Sequence, residues 1–415
     1  MRYSHVLGRR IVAWEELFFD LLLALSLAMI VAKLLEELVV RAGLPPVIGD
    51  LIAGIILGPT VLGIYPLNDV VRVFSWLGIC LLLFYAGLET RYRDFMRSLG
   101  AYGIITVGEG IAAFGLGYLV GTAFGYPPRS AYFIGAVLEA TSISVTVRTL
   151  IDIGKLNTPE GYADLGVAVL DDLVALIIIV AGTSLIKSGT FSVIDLAKTA
   201  TIALLYWLAI VLLIHRVSNV LMKKSMSMKA SEGLLATALG LFSGLSYLTK
   251  FLKLSPLVAA YASGLALSEA VGVRKIAERL RPIAMLFSVL FFMTTAAEID
   301  IRAALSSKYV MFYLAMIGAA FAGKLLGGGL TSFLIGYPPL AALRIAVGLF
   351  PRAEFCIIAA YVGYSGGLFG PEVYFAALMI VLITNFITPI LLKIVYSIGG
   401  ETRFVRTRLA RLRRG

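Results

Sequence analysis

Residues 166–180 read GVAVLDDLVALIIIV, so two carboxylates, Asp171 and Asp172, stand side by side in an otherwise apolar run. A charge at the centre of a bilayer costs at least ~2.5–3.5 kcal/mol on insertion scales, so such residues face a partner or a water-filled cavity. Successive helical side chains point about 100° apart, and the two aspartates therefore cannot both face one cavity squarely. One can face an aqueous funnel while the other meets a partner in the protein. The partner the sequence offers is Lys324 in FAGKLLGGGL, deep within the eleventh apolar run. Its alternative is to snorkel to an interface. A carboxylate joined by hydroxyls and backbone carbonyls makes a hard oxygen site, which suits an alkali cation. Burial favours the protonated carboxylic acid. An aspartyl protease is a poor reading, because its two carboxylates must flank a scissile bond from two helices. A cation channel is no better served by an intramembrane lysine beside an acid pair.

Two apolar runs are interrupted at similar depth. The fifth, GAVLEATSISVTVRTL (135–150), clusters Thr141, Ser142 and Ser144 in mid-membrane; the twelfth, VGLFPRAEF (347–355), carries Pro351 and Arg352. Proline removes a helical hydrogen bond, and freed backbone at that depth is tolerated only beside protein or water. Paired interruptions in two halves point to an inverted-repeat transporter with a midplane site. Arg352 and Glu354 flank the second break and hold either each other or the half-helix ends. Glu139, just before the first break, either lines an ion path or pairs with Arg352. Asn385 is expected to satisfy freed backbone. Asp20, Asp50 and Glu109 read as structural or lipid-edge acids, and the isolated His5 and His215 imply no metal centre. No cofactor is implied.

The elements that must position these residues are membrane helices. The chain of 415 residues is 60% hydrophobic and only 15% charged, with a mean hydropathy of +0.93, against ~25% charge in an average soluble domain. Thirteen apolar runs, each long enough to cross a ~30 Å hydrocarbon core, lie near 16–40, 46–64, 70–89, 99–123, 129–151, 161–186, 199–221, 230–249, 255–272, 280–298, 307–335, 338–366 and 371–396. The expected fold class is an all-α polytopic membrane protein in a single transmembrane domain. Cys80 and Cys356 both lie in apolar runs, so no disulfide framework is implied. Neither GLGYLVG (115–121) nor GGGL (327–330) follows a strand, and both read as close helix packing rather than phosphate loops. The net charge of +11 is assigned to loops, not to nucleic acid. Odd-numbered loops and the C-terminal end hold 21 Lys and Arg in or beside them, against 11 for the N-terminus and even loops. The excess places the C-terminus, with its basic tail (397–415), in the cytoplasm and the N-terminus outside.

These segments resemble a known family. LPPVIGDLIAGIILGPTVLGI (44–64), LGICLLLFYAGLET (77–90), ATSISVTVRTLIDIGKLNTPEGYADLGVAVLDDLVAL (140–176), GKLLGGG (323–329) and GLFPRAEFCIIAA (348–360) are similar to the ordered motifs of the monovalent cation:proton antiporter-2 family. The nearest type is its NapA-type sodium/proton antiporters. The resemblance implies two crossed discontinuous helices and alternating access in a cell membrane, serving pH homeostasis. The moving core bundle would be roughly 99–186 and 307–396, and the dimerisation bundle of a homodimer 16–89 and 199–298. It implies sodium or lithium exchanged for protons, with potassium as the alternative cation. Carried over by position, Asp172 binds sodium and the proton, Asp171 pairs with Lys324 in one state, and Thr141 and Ser142 lie by the ion, crossing the break at Pro351. Ala353 and Ala296 stand where the family often has glycine. The nucleotide-binding domain of potassium-efflux relatives is not expected. With both aspartates ionised Lys324 would lack a partner and readily give up its proton, so electrogenic exchange is expected.

Overall fold

The computed structural model describes residues 2–42, 44–188, 193–229, 231–252, 255–298 and 309–399. Helix α1 (Arg2–Leu27) passes through a π turn at Ala28–Ala32 into α2 (Lys33–Arg41). Next come α3 (Val47–Leu57), α4 (Asp69–Glu89) and α5 (Tyr92–Ala123). A split helix, α6 (Pro128–Glu139) and α7 (Ser144–Asp152), precedes the long α8 (Pro159–Ser188). Helices α9 (Val193–Ala209) and α10 (His215–Met226) flank a second π turn and lead to α11 (Gly233–Leu252), α12 (Pro256–Leu267) and α13 (Val273–Ala297). Helix α14 (Val310–Lys324) runs through a third π turn at Leu325–Gly329 into α15 (Leu330–Leu334). A second split helix, α16 (Pro339–Gly348) and α17 (Glu354–Ser365), precedes α18 (Pro371–Ser397).

Among the described residues nine helices are long and apolar enough to cross a membrane, and shorter apolar helices stand beside them. Each of the thirteen expected runs is one helix or one interrupted pair. Local chemistry sets the ends. Asn68 Oδ1 accepts the Val71 N–H at 3.0 Å to start α4, and Ser255 Oγ does the same for Leu257 ahead of α12, with Pro256 in the first helical position. Such caps satisfy amide groups that have no partner within the helix. The second expected run is shorter than its composition suggests. It stops at Leu57 because Gly58 turns extended and Pro59 has no N–H to continue the ladder. The chain then folds back, with Gly63 at φ +67° and the Ile64 and Tyr65 amides both bonded to Leu57 O.

The helices pack in two groups. In one, α3 and α12 lie against α4 or α13, with α2 and α11 outside them. In the other, α5 packs on α6, α8 and α14, while α17 packs on α6 and α18. A Cβ at Gly117 would lie 2.8 Å from the Ile134 carbonyl, and one at Gly121 would lie 2.9 Å from Ala131 Cα. The glycines of GLGYLVG thus permit the close α5–α6 approach. Helix α7 touches both groups. The basic tail from residue 400 and the side chains of His5 and Glu354 lie outside the described residues.

Candidate ion-binding site

The site forms where the two split helices cross. Ala140–Ile143 leave the helix between α6 and α7; short hydroxyl side chains compete for backbone groups there and weaken the ladder. Residues 349–353 leave it between α16 and α17 around Pro351. The strands of freed backbone meet directly: the Ser142 N–H donates to the Pro351 carbonyl at 2.8 Å. Ser142 and Ser144 hydroxyls bond each other at 2.9 Å, and Thr141 Oγ1 is buried with no hydrogen-bond partner among the described residues.

Arg352 bears on the alternatives left by the sequence, of which a pairing with the Glu354 side chain lies outside the described residues. Its side chain is fully buried and its two terminal nitrogens donate to carbonyls: Leu349 at 3.0 Å, Phe350 at 2.8 Å and Leu138 at 3.0 Å among them. These carbonyls close α16 and α6, where helix dipoles leave partial negative charge. The guanidinium therefore holds the half-helix ends, and among the described residues no ion pair joins it to Glu139. The Arg352 amide donates to Thr384 Oγ1 at 3.2 Å. Thr384, rather than Asn385, is the residue on α18 that serves the freed backbone; Asn385 Oδ1 is without a partner among the described residues.

The acids surround this crossing. The Thr141 N–H donates to Asp171 Oδ2 at 2.7 Å, tying the unwound segment to α8. Lys324 Nζ lies 3.9 Å from the same oxygen and donates to the Glu139 carbonyl at 2.6 Å. Its nearest carboxylate is Glu109, with which it forms a direct ion pair. Glu139, Glu109, Asp171 and Lys324 are fully enclosed, whereas Asp172 keeps 8% exposure and Ser142 5%. The two adjacent aspartates thus have different environments. Asp171 is held inside by backbone and lysine, and Asp172 is the less enclosed of the two. Glu139 brings its carbonyl to Lys324, and its carboxylate oxygens are enclosed without hydrogen-bond partners among the described residues.

Of the two sequence readings of Glu109, structural or lipid-edge, its full burial and pairing with Lys324 exclude the lipid edge. Glu109 is enclosed because α5 and α14 approach very closely. A Cβ at Gly323 would lie 2.7 Å from Ala113 Cα, and one at Gly327 would collide with Glu109 Cα itself. The π turn that follows Lys324 carries three glycines, and such turns often mark functional sites. A glutamate flanked by Gly108 and Gly110 in a span facing a glycine-rich lysine helix was the available signal. Two further buried acids sit earlier on α8: Glu160, paired with Arg344 at 2.9 Å, and Asp164.

The chain as a whole is similar to proteins of known class. A family model described as "Sodium/hydrogen exchanger, transmembrane" matches residues 23–397. The chain belongs to that family. It is 33% identical over 377 residues to the "Probable Na(+)/H(+) antiporter GerT" of Bacillus cereus, covering 91% of this chain and 98% of that one. It is 30% identical to the "Na(+)/H(+)-K(+) antiporter GerN" of the same organism, covering 94% and 99%. In structure it is similar to the sodium proton antiporter MjNhaP1 of Methanocaldococcus jannaschii, with a TM-score of 0.69 at 16% identity over 91% of this chain and 97% of that one. That likeness shows the fold of the antiporters. The protein is accordingly a multi-pass membrane transporter of the cation:proton antiporter class, not an enzyme.

Proposed function

We propose that this transporter exchanges sodium for protons at Asp172 by alternating access, with lithium as a second accepted cation. The observation that carries the reading is the unequal pair. Asp171 is fully enclosed and bonded to Thr141 beside Lys324, while Asp172, next to it on α8, keeps 8% exposure. Together with the unwound backbone and the Thr141 and Ser142 hydroxyls, the Asp172 carboxylate would make a hard-oxygen site that holds a cation or a proton but not both charges at once. The helix group containing α5–α8 and α14–α18 would move against the other in a cell membrane, with the C-terminus cytoplasmic and two copies associated.

The charge moved per cycle turns on Lys324. The electrogenic expectation requires the lysine to lose its only partner when both aspartates ionise. Contact with Glu109 weakens that premise: the lysine keeps a counter-ion whatever happens at Asp171. One proton per sodium ion, without net charge movement, is therefore our reading. Potassium is the second reading, favoured by the likeness to GerN, whose name includes that ion.

Proteoliposome flux with sodium, lithium and potassium tests both points. Sodium and lithium should exchange for protons, and an imposed membrane potential should leave the rate unchanged when sodium and pH are balanced. Asp172→Asn keeps shape but neither charge nor titration, and should abolish exchange in a folded protein. Sodium-dependent exchange surviving in that variant overturns the assignment, and a potential-driven flux restores the electrogenic scheme.

A further inference from the structure

We propose that Arg148 is a latch between the two helix groups, closing one side of the molecule while a recess on the other side stays open. The inference rests on alternating access as the mode of transport and adds a residue that controls it.

Arg148 lies on α7, one turn beyond its start at the crossing, and is 3% exposed. Its Nε is anchored within the same helix, donating to Asp152 Oδ2 at 3.1 Å. The rest of the fork reaches the other helix group. One nitrogen donates to Ser288 Oγ at 2.8 Å and to the Met285 carbonyl at 3.3 Å, both on α13. The other nitrogen lies 3.7 Å from Glu36 on α2, a carboxylate already held by Lys33 at 2.5 Å. Asp50 on α3 adds a third acid that is fully buried. A planar guanidinium spanning such partners is a directional tie that breaks as a unit when the groups slide.

The other side of the crossing differs. Ser130 at the start of α6 bonds the Leu368 carbonyl just beyond α17, so those two half-helices share a side. Helix α7 therefore points to the opposite one. On the α17 side, a recess of about 90 Å³ separates the groups, lined by Ser75, Phe291, Thr294 and Thr295 from one and by Ala353 and Ile357 from the other. Ser288 and Thr295 are seven residues apart on α13, about 10 Å along the helix. The same helix is thus clamped by Arg148 at one level and parted from α17 at the next. Exposing the crossing to the opposite side requires the Arg148 bonds to Ser288, Met285 and Glu36 to open.

Accessibility of the recess reads the latch directly. In a Cys80→Ala, Cys356→Ala background, Thr295→Cys reports the open recess by its labelling rate with a membrane-impermeant maleimide in nanodiscs. Adding Arg148→Gln should slow labelling by about threefold or more as the population shifts away from the open-recess state. Ser288→Ala combined with Glu36→Gln keeps the arginine, removes the Ser288 hydroxyl and the Glu36 charge across the interface and leaves only the longer Met285 carbonyl contact, and should act in the same direction. This combination decides the matter alone if Arg148→Gln does not fold. Unchanged or faster labelling in folded variants overturns the latch. Labelling needs no cation, so a wrong assignment at Asp172 leaves this readout intact.

Discussion

At the scale of single residues, the site turns on a lysine with two acidic neighbours. Removing one member of a buried ion pair typically costs about 3–5 kcal/mol, because the survivor is left enclosed without a partner. Glu109→Gln and Lys324→Gln should each lower the melting temperature in detergent. The double variant should be less damaged than the sum of the two, with a coupling of about 1–3 kcal/mol. Strict additivity would mean that the contact contributes nothing. The pair of aspartates was legible in the sequence because a charge in an apolar run has few explanations. Glu109 was not, although it is just as deep. Its meaning depends on the register between α5 and α14, which lie far apart in the chain, and no local pattern fixes that register. Asn385 shows the same limit: one position along α18 decides which polar side chain meets the break, and Thr384 holds that position.

At the scale of elements, the breaks were legible and the helix ends less so. Proline at 351 and hydroxyls at 141–144 act on their own backbone, so composition alone locates them. How tightly a helix packs depends on its neighbour. The α5–α14 contact depends on glycines that let backbones approach, the usual means of helix association in lipid, where apolar burial supplies little drive. Gly327→Val places a branched side chain where Glu109 Cα already stands. Overpacking of that kind costs about 1–3 kcal/mol or more, and moving α14 outward carries Lys324 away from Glu109. The variant should therefore fold with lowered stability and lose transport. Gly318, earlier on α14, provides the control, because a Cβ there would meet nothing within 4 Å; Gly318→Ala should leave both properties unchanged. Equal effects at the two positions would show that close approach at Gly327 is not what matters.

At the scale of the whole molecule, the proposed alternating access would keep one helix group fixed while the other carries the crossing, and a second copy would be the simplest anchor. The resemblance predicts a homodimer through the first span, and the surface of that span is compatible with it. Trp14, Phe18 and Phe19 are each more than half exposed, and Ile30, Leu34 and Leu38 continue the apolar face. Apolar exposure alone does not choose between lipid and protein, since acyl chains are as apolar as leucine. The stronger argument is mechanical. The helices through Trp14–Arg41 and Gly233–Leu252 have mostly unburied windows and belong to the group opposite the crossing, where an anchor does not obstruct sliding. Native mass spectrometry in mild detergent should show a dimer. Replacing Phe18 and Phe19 by alanine should raise the monomer fraction without unfolding the protein, because neither side chain is buried in the single chain. Monomer as the sole species, with full exchange activity on reconstitution, would rule out the dimer as the anchor and leave the bilayer itself to hold the fixed group.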